Sequence, residues 1–317
     1  MAILDFMTKT VAVDAGSQNL RIGDERQIIF NETAQLSLHR DTNAVSGIGF
    51  GAVQDATNKV IRPVNNVIAD FHGFEHLLRG ALKKSTQERK LLPYSYKVYF
   101  SIPINISEVE KRAYRDSGEH AGAKLVYMIH QPCCVALAMG ILLEKKEFVL
   151  IDFSATKMEI TVFSKGIPLV TGIVRMGTWR LKLAIKNYIF RTYGTVLKSD
   201  QLTHLFLNAH ETHTIEVDGK PIEIEGLLKV LEPYFMVIED QILEAIESVS
   251  THASIAKIVA NGIYVSGGGA KLPWLVDRLR SIGKINYTIS KQPLLDGING
   301  LIKVMKGPDK FKSYLMT

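Results

Sequence analysis

Two aspartates stand out, each closing a short apolar run and opening a turn. Asp14 ends Val11-Ala12-Val13-Asp14, and Asp152 ends Phe148-Val149-Leu150-Ile151-Asp152. A carboxylate in that position can serve a hydrated Mg2+, which prefers oxygen ligands and keeps several waters. Either aspartate alone reads more simply as a turn cap bonded to its own backbone. The repetition of the pattern favours a shared role at a metal. After Asp14, the residues Gly16, Ser17, Gln18 and Asn19 supply a turn whose amides can face a phosphate, since glycine allows close backbone approach and positive φ. Gly267-Gly268-Gly269 lies between an apolar strand pattern and a helical one, a second place where backbone amides can reach a phosphate. A tight strand-to-helix turn is the plainer alternative. Gln131 precedes Pro132 where a strand ends, and its side-chain amide can orient an attacking water.

The elements that must carry these residues are legible in the apolar patterning. Val11–Asp14, the Gly16–Asn19 turn and Leu20–Gly23 read as a hairpin, and Phe148–Asp152 with Glu159–Phe163 repeats the plan, which suggests a duplicated domain. Lys97–Ile102 alternates as a strand and Pro103 stops it. Ser107 followed by Glu110 is a capping box for a helix running to about His120. Leu125–Ile129 reads as the next strand and Val135–Leu143 as a buried helix, and Glu144-Lys145-Lys146 marks a domain crossover. Gly262–Ser266 reads as a strand, with helical spacing over Leu272–Ile282. Between Lys198 and Glu232 the chain turns polar, with a small hairpin about Asp218-Gly219.

Composition narrows the function classes. The 317 residues are 46% hydrophobic and 22% charged, enough for two domains of ordinary size. Cys133 and Cys134 are adjacent, so they cannot staple distant segments and suit a reducing compartment. No stretch approaches the ~20 apolar residues that span a bilayer, and no secretory leader is recognisable. The net charge of +6 is dispersed in small clusters, as befits a solvated surface; attraction to an anionic membrane is the minority reading. His204, His210 and His213 show no metal-ligand spacing, and neither G-x-S-x-G nor H-E-x-x-H occurs.

Longer segments carry a resemblance. Ile61-Arg62-Pro63 through Val67-Ile68-Ala69-Asp70-Phe71 resembles the "IRPLKDGVIADF" of MreB-type bacterial actins, and Glu108–Ala113 through Glu119–Lys124 resembles their "EVEKRAVRDSAEHAGAKE". The resemblance runs over nearly the whole chain. It implies an α/β, actin-like fold, ribonuclease H-like and duplicated, a two-lobed ATPase with a nucleotide cleft between the lobes. Lobe I is expected over residues 1–143, with a small subdomain about 32–65 and residues 303–317 packing back on it; lobe II is expected over 144–302, with a small subdomain about 181–248. The resemblance makes Val13–Ser17 the first phosphate loop, Asp152 the start of the second, and Ser266–Ala270, with Gly267, Gly268 and Gly269, the adenosine-side loop. It places Gly177 at the nucleotide, gives Asp14 and Asp152 the Mg2+, and puts Gln131 where relatives hold a water-positioning Glu.

Two departures qualify those roles. The family's Asp-Ile-Gly-Gly-Gly-Thr-Thr-Glu is here Asp152-Phe153-Ser154-Ala155-Thr156-Lys157-Met158-Glu159, without the three glycines, and Lys157 is a candidate compensating charge. At Arg175–Trp179 the family's Gly-Gly-Asp loses its carboxylate to Trp179, and Leu181-Lys182-Leu183 replaces an acidic stretch. The implied role is a divergent MreB paralogue, an actin-like cell-shape protein that forms or joins membrane-associated filaments. Its assembly would be linked to ATP or GTP with Mg2+, and its hydrolysis, at most slow, weakened or lost. Self-association, a standard MreB, wall-synthesis and shape proteins, and the inner membrane touched through Met1–Met7 are the expected partners. No nucleic acid is expected, and the location is cytoplasmic, peripheral to the inner membrane. The alternative is a non-polymerising pseudo-ATPase that regulates bacterial actin filaments; a sugar-kinase-like phosphotransferase fits less well.

Overall fold

A computed structural model describes residues 8–86, 95–144, 147–217, 220–223, 226–248, 252–283 and 285–317. The chain divides into two compact units, residues 1–142 with 295–317, and 143–294. Among the described residues no helix is long and apolar enough to cross a membrane. The Met1–Met7 leader, Lys145-Lys146 and the Asp218-Gly219 turn lie outside the described residues.

The first unit opens with β1 (Thr8–Ala15), β2 (Asn19–Gly23) and β3 (Ile28–Thr33), an antiparallel meander. A three-stranded sheet follows from β4 (Leu36–His39), β5 (Val45–Ile48) and β6 (Asn58–Ile61), then a two-stranded link, β7 (Val64–Asn65) and β8 (Val67–Ile68). Helix α1 (Phe71–Thr86) buries Phe74, Leu77, Leu78, Ala81 and Leu82, the i, i+3, i+4, i+7, i+8 stripe of a helix lying on a sheet. β9 (Ser95–Ile102) then pairs parallel to β1, and β10 (Ala123–His130) parallel to β9. Every residue from Val98 to Ile102 is buried, as expected of a parallel strand covered on both faces. Between them α2 (Glu108–His120) starts at the Ser107–Glu110 capping box, both reciprocal bonds being present, and its Tyr114 ring lies edge-on to Phe74 and Phe100.

The next helix, α3, spans Gln131–Ala138 rather than Val135–Leu143. Pro132 in its first turn needs no helical hydrogen-bond donor, so the helix starts directly from the strand; Gly140, at φ +78, terminates it. Apolar burial continues through Ile141 and Leu142, which is why composition alone overextends the helix.

The second unit repeats the plan. β11 (Phe148–Phe153), β12 (Met158–Ser164) and β13 (Ile167–Val174) form an antiparallel meander. Helix α4 (Thr178–Tyr193) follows, then α5 (Ser199–Leu207), the hairpin β14 (Thr214–Val217) with β15 (Lys220–Glu223), α6 (Glu232–Glu247) and α7 (His252–Asn261). The polar stretch after Lys198 thus holds a helix, α5, anchored by Leu202, Leu205 and Phe206 at helical spacing. β16 (Ile263–Ser266) pairs parallel to β11, and after α8 (Pro273–Arg280), β17 (Tyr287–Ile289) pairs parallel to β16. Strand order β3-β2-β1-β9-β10 in the first unit matches β13-β12-β11-β16-β17 in the second. The duplication suggested by the two hairpins is therefore a duplication of whole sheets.

The chain returns to the first unit with α9 (Asp296–Lys306), which packs on α3 and β1. A Cβ on Gly300 would fall 1.8 Å from Cys134 O, so this helix crossing requires glycine there. Lys303 Nζ donates to Leu137 O (2.9 Å) and Ala138 O (3.1 Å), capping the carbonyl end of α3. Met316 exchanges backbone bonds with Met128, which fastens the tail to β10.

Candidate functional site

In the first unit the β1–β2 hairpin sets the geometry. Asp14 lies opposite Arg21 in the antiparallel register, and Arg21 Nη1 approaches Asp14 Oδ2 at 3.4 Å. Burial pushes the Asp14 carboxyl above its ordinary value, against the smaller downward pull of the Arg21 guanidinium. The N-terminus of α9 adjoins it, since a Cβ on Gly297 would lie 3.0 Å from Asp14 Oδ2. The turn is held by its own backbone: the Gly16 amide donates to Asn19 O (3.0 Å), and Gln18 O accepts from the Ala34 amide (2.9 Å). Ser17 Oγ accepts from the Asn66 amide at 2.9 Å, Asn66 itself being left-handed at φ +64, which ties the turn to the β7–β8 link. Gln131 is the first residue of α3 and half-buried, following His130, whose Nδ1 is 3.3 Å from Pro103 O.

In the second unit β11 delivers Asp152 beside Ser266 of β16. Gly267 turns the chain at φ +82, and a Cβ there would sit 2.3 Å from Asp152 Oδ1. A Cβ on Gly269 would meet the Phe153 ring at 2.5 Å, whereas Gly268 has only Leu294 Cδ2 near it, at 3.7 Å. Two of the three glycines are thus required by packing against Asp152-Phe153. The Gly267 amide donates to Pro293 O (3.1 Å), and Gly268–Lys271 form a 3-10 turn before α8.

The glycine-free loop after Asp152 closes on itself. The Ser154 amide and hydroxyl both donate to Lys157 O (2.9 Å each), and Ser154 Oγ accepts the Lys157 amide at 3.3 Å. Its carbonyls face the start of α4: the Thr178 amide donates to Ser154 O (3.0 Å) and the Trp179 amide to Ala155 O (2.9 Å). Gly177 lies under this loop, where a Cβ would fall 2.3 Å from the Ala155 carbonyl. Lys157 Nζ pairs with Glu159 Oε2 at 2.5 Å, with only 10% and 4% of the two side chains exposed, and Glu159 Oε1 is buried with no hydrogen-bond partner among the described residues.

Sequence reasoning named Asp14, Gly177 and Lys157 but missed their partners Arg21, the Ala155 carbonyl and Glu159. The first was legible in principle as a cross-strand pair; the third joins Lys157, in the turn before β12, to Glu159 two residues further on.

Residues 8–313 match the family model described as MreB/Mbl protein. The chain belongs to the MreB/Mbl family. The cell shape-determining protein MreB of Escherichia coli K12 is 28% identical over 316 residues, covering 90% of this chain and 89% of that protein. MreB5 of Spiroplasma citri bound to ADP superposes with a TM-score of 0.84 at 20% identity, covering 96% of this chain and 98% of that one. The MamK double helical filament superposes at 0.74 with 15% identity, covering 94% and 99%. The fold of this MreB/Mbl chain is therefore actin-like.

Within that fold the two units present different turns. In the first, a glycine turn shares one hairpin with the buried Asp14 carboxylate, its Gly16 amide bonded to Asn19 O. In the second, the loop amide of Lys157 and the first two amides of α4 are already bonded, and its one cation is neutralised by Glu159.

Proposed function

We propose that this MreB/Mbl chain is a cell-shape filament protein that assembles with itself or with a standard MreB, and whose assembly is only loosely coupled to nucleotide. The observation that carries the reading is the match over residues 8–313, supported by the sheet duplication it entails. Similar structures are described as bound to ADP and AMPPNP, which supports an adenine nucleotide, ATP, as the ligand, with GTP the alternative. Asp14, Gly16, Ser17, Gln18 and Asn19 are the first unit's contribution to it; Asp152, Gly177 and Gly267–Gly269 are the second's. Mg2+ would accompany the nucleotide, with Asp14 and Asp152 as its candidate carboxylates. Gln131 would position water for whatever slow hydrolysis persists. The protein would work in the cytoplasm, peripheral to the inner membrane, beside the wall-synthesis machinery.

Electron microscopy on anionic lipid with Mg-ATP, Mg-ADP or no nucleotide tests this, with phosphate release followed in parallel. Filaments in all three samples with little phosphate release are expected. A protein that stays monomeric in every sample, and also when standard MreB is added, would overturn the filament reading. The closed second loop favours one alternative, a pseudo-ATPase that binds MreB filaments without entering them; labelled protein decorating but not incorporating would establish it.

A further inference from the structure

Two helices of the second unit carry exposed faces that complement each other. On α4, Trp179, Leu183 and Phe190 are 40%, 51% and 56% exposed, and Lys186 completes their 4-3-4 spacing along one face. Exposed Arg180 and Arg191 flank that stripe, and the helix has no Asp or Glu in its sequence. On α6, Met236, Val237 and Leu243 are 59%, 44% and 39% exposed, interleaved with exposed Asp240, Glu244 and Glu247. That helix has no Lys, Arg or His. Its other acids, Glu232 and Glu239, are already paired with Arg278 at 2.8 and 3.6 Å, so the outward charge lies at the C-terminal half.

An apolar stripe of three large side chains left at a surface marks an association site when charge frames it. Pairing α4 with α4 would oppose Lys and Arg to Lys and Arg, and pairing α6 with α6 would oppose carboxylates; α4 against α6 satisfies both. Because the two faces are different surfaces of one molecule, such a contact is heterologous, and a heterologous contact that does not close on itself extends into a filament.

We propose that the α4 face of one copy docks on the α6 face of the next, a contact between copies of this chain that rests on the filament reading above. The partner is a second copy. The apolar residues give the contact its adhesion and the charges its orientation and register.

Charge reversal tests it in the full chain. Lys186→Glu with Arg191→Glu, and separately Glu244→Lys with Glu247→Lys, should each raise the critical concentration for pelleting by about tenfold, and the four changes together should restore it to within about threefold. Circular dichroism and thermal midpoints confirm that all variants fold. Wild-type filaments with unaffected double variants, or a quadruple variant no better than the doubles, would overturn this contact while leaving the filament reading intact. Loss of vesicle binding by the α4 variant with unchanged filaments would overturn it in favour of an anionic lipid surface. Should the wild type not polymerise, an equimolar mixture of Phe190→Cys and Leu243→Cys chains treated with a bis-maleimide still decides: a dimer formed only in the mixture supports the contact, and its absence overturns it. The native thiols stay silent in that experiment, since Cys133 and Cys134 are buried and burial pushes Cys133 up to about 12.

Discussion

Lys157 is the residue on which the second loop turns. Its ammonium sits almost out of solvent against Glu159, so removing one partner strands the other. Lys157→Met is expected to cost about 3–5 kcal/mol in urea unfolding, whereas Lys157→Met combined with Glu159→Leu should recover most of that loss, because an apolar pair carries no desolvation debt. Equal stability of the single and double variants would show that the pair is not coupled. Asp14 poses the opposite case, a carboxyl whose raised value reflects burial more than its Arg21 partner. A raised value in the folded state means that the associated stability is complete below the ordinary aspartate value and is lost as pH rises through the folded one. Urea midpoints measured from about pH 3 to 7 should fall on that limb for the wild type and run flatter for Asp14→Asn. Parallel curves would contradict the assignment.

Among the elements, α9 decides most in the first unit. It touches α3 at Gly300, reaches β1 at Gly297 beside Asp14, and sends Lys303 to the end of α3. A methyl group on Gly300 meets backbone rather than a yielding side chain, so Gly300→Ala should separate α9 from α3 and lower stability by about 1–3 kcal/mol or more. Gly268→Ala, where the nearest atom is 3.7 Å from a Cβ, serves as the tolerant control. Thermal midpoints of the two variants distinguish them. The same crowding explains Gly177: it admits the loop that supplies the first two amides of α4 with their acceptors, so the start of this helix is capped from within.

At the scale of the whole molecule, a loop whose Ser154 and Lys157 amides and one cation are already paired has fewer groups left with which to sense a terminal phosphate. ATP and ADP should therefore bind within about threefold of each other by calorimetry, and restoring Ser154→Gly, Ala155→Gly and Thr156→Gly should widen the ratio towards ATP. A wild-type preference for ATP of about tenfold or more would show that other groups read the phosphate. Much of the fold was legible in the sequence by itself. Alternating apolar runs placed β9 and β12, Ser107 and Glu110 placed the start of α2, and the repeated strand-Asp-turn pattern foretold two like sheets, because periodicity and capping are local properties of the chain. Asp14, Asp152 and the glycine turns were visible for the same reason. Other features had no local signature. Composition could not stop α3 at Ala138, since burial continues past the helix end. Nor could it reveal that Gly267 and Gly269 are held by Asp152-Phe153, or that the carbonyls of Ser154 and Ala155 occupy the α4 amides. Those facts depend on which segments distant in sequence pack within van der Waals reach, and only the tertiary structure decides that.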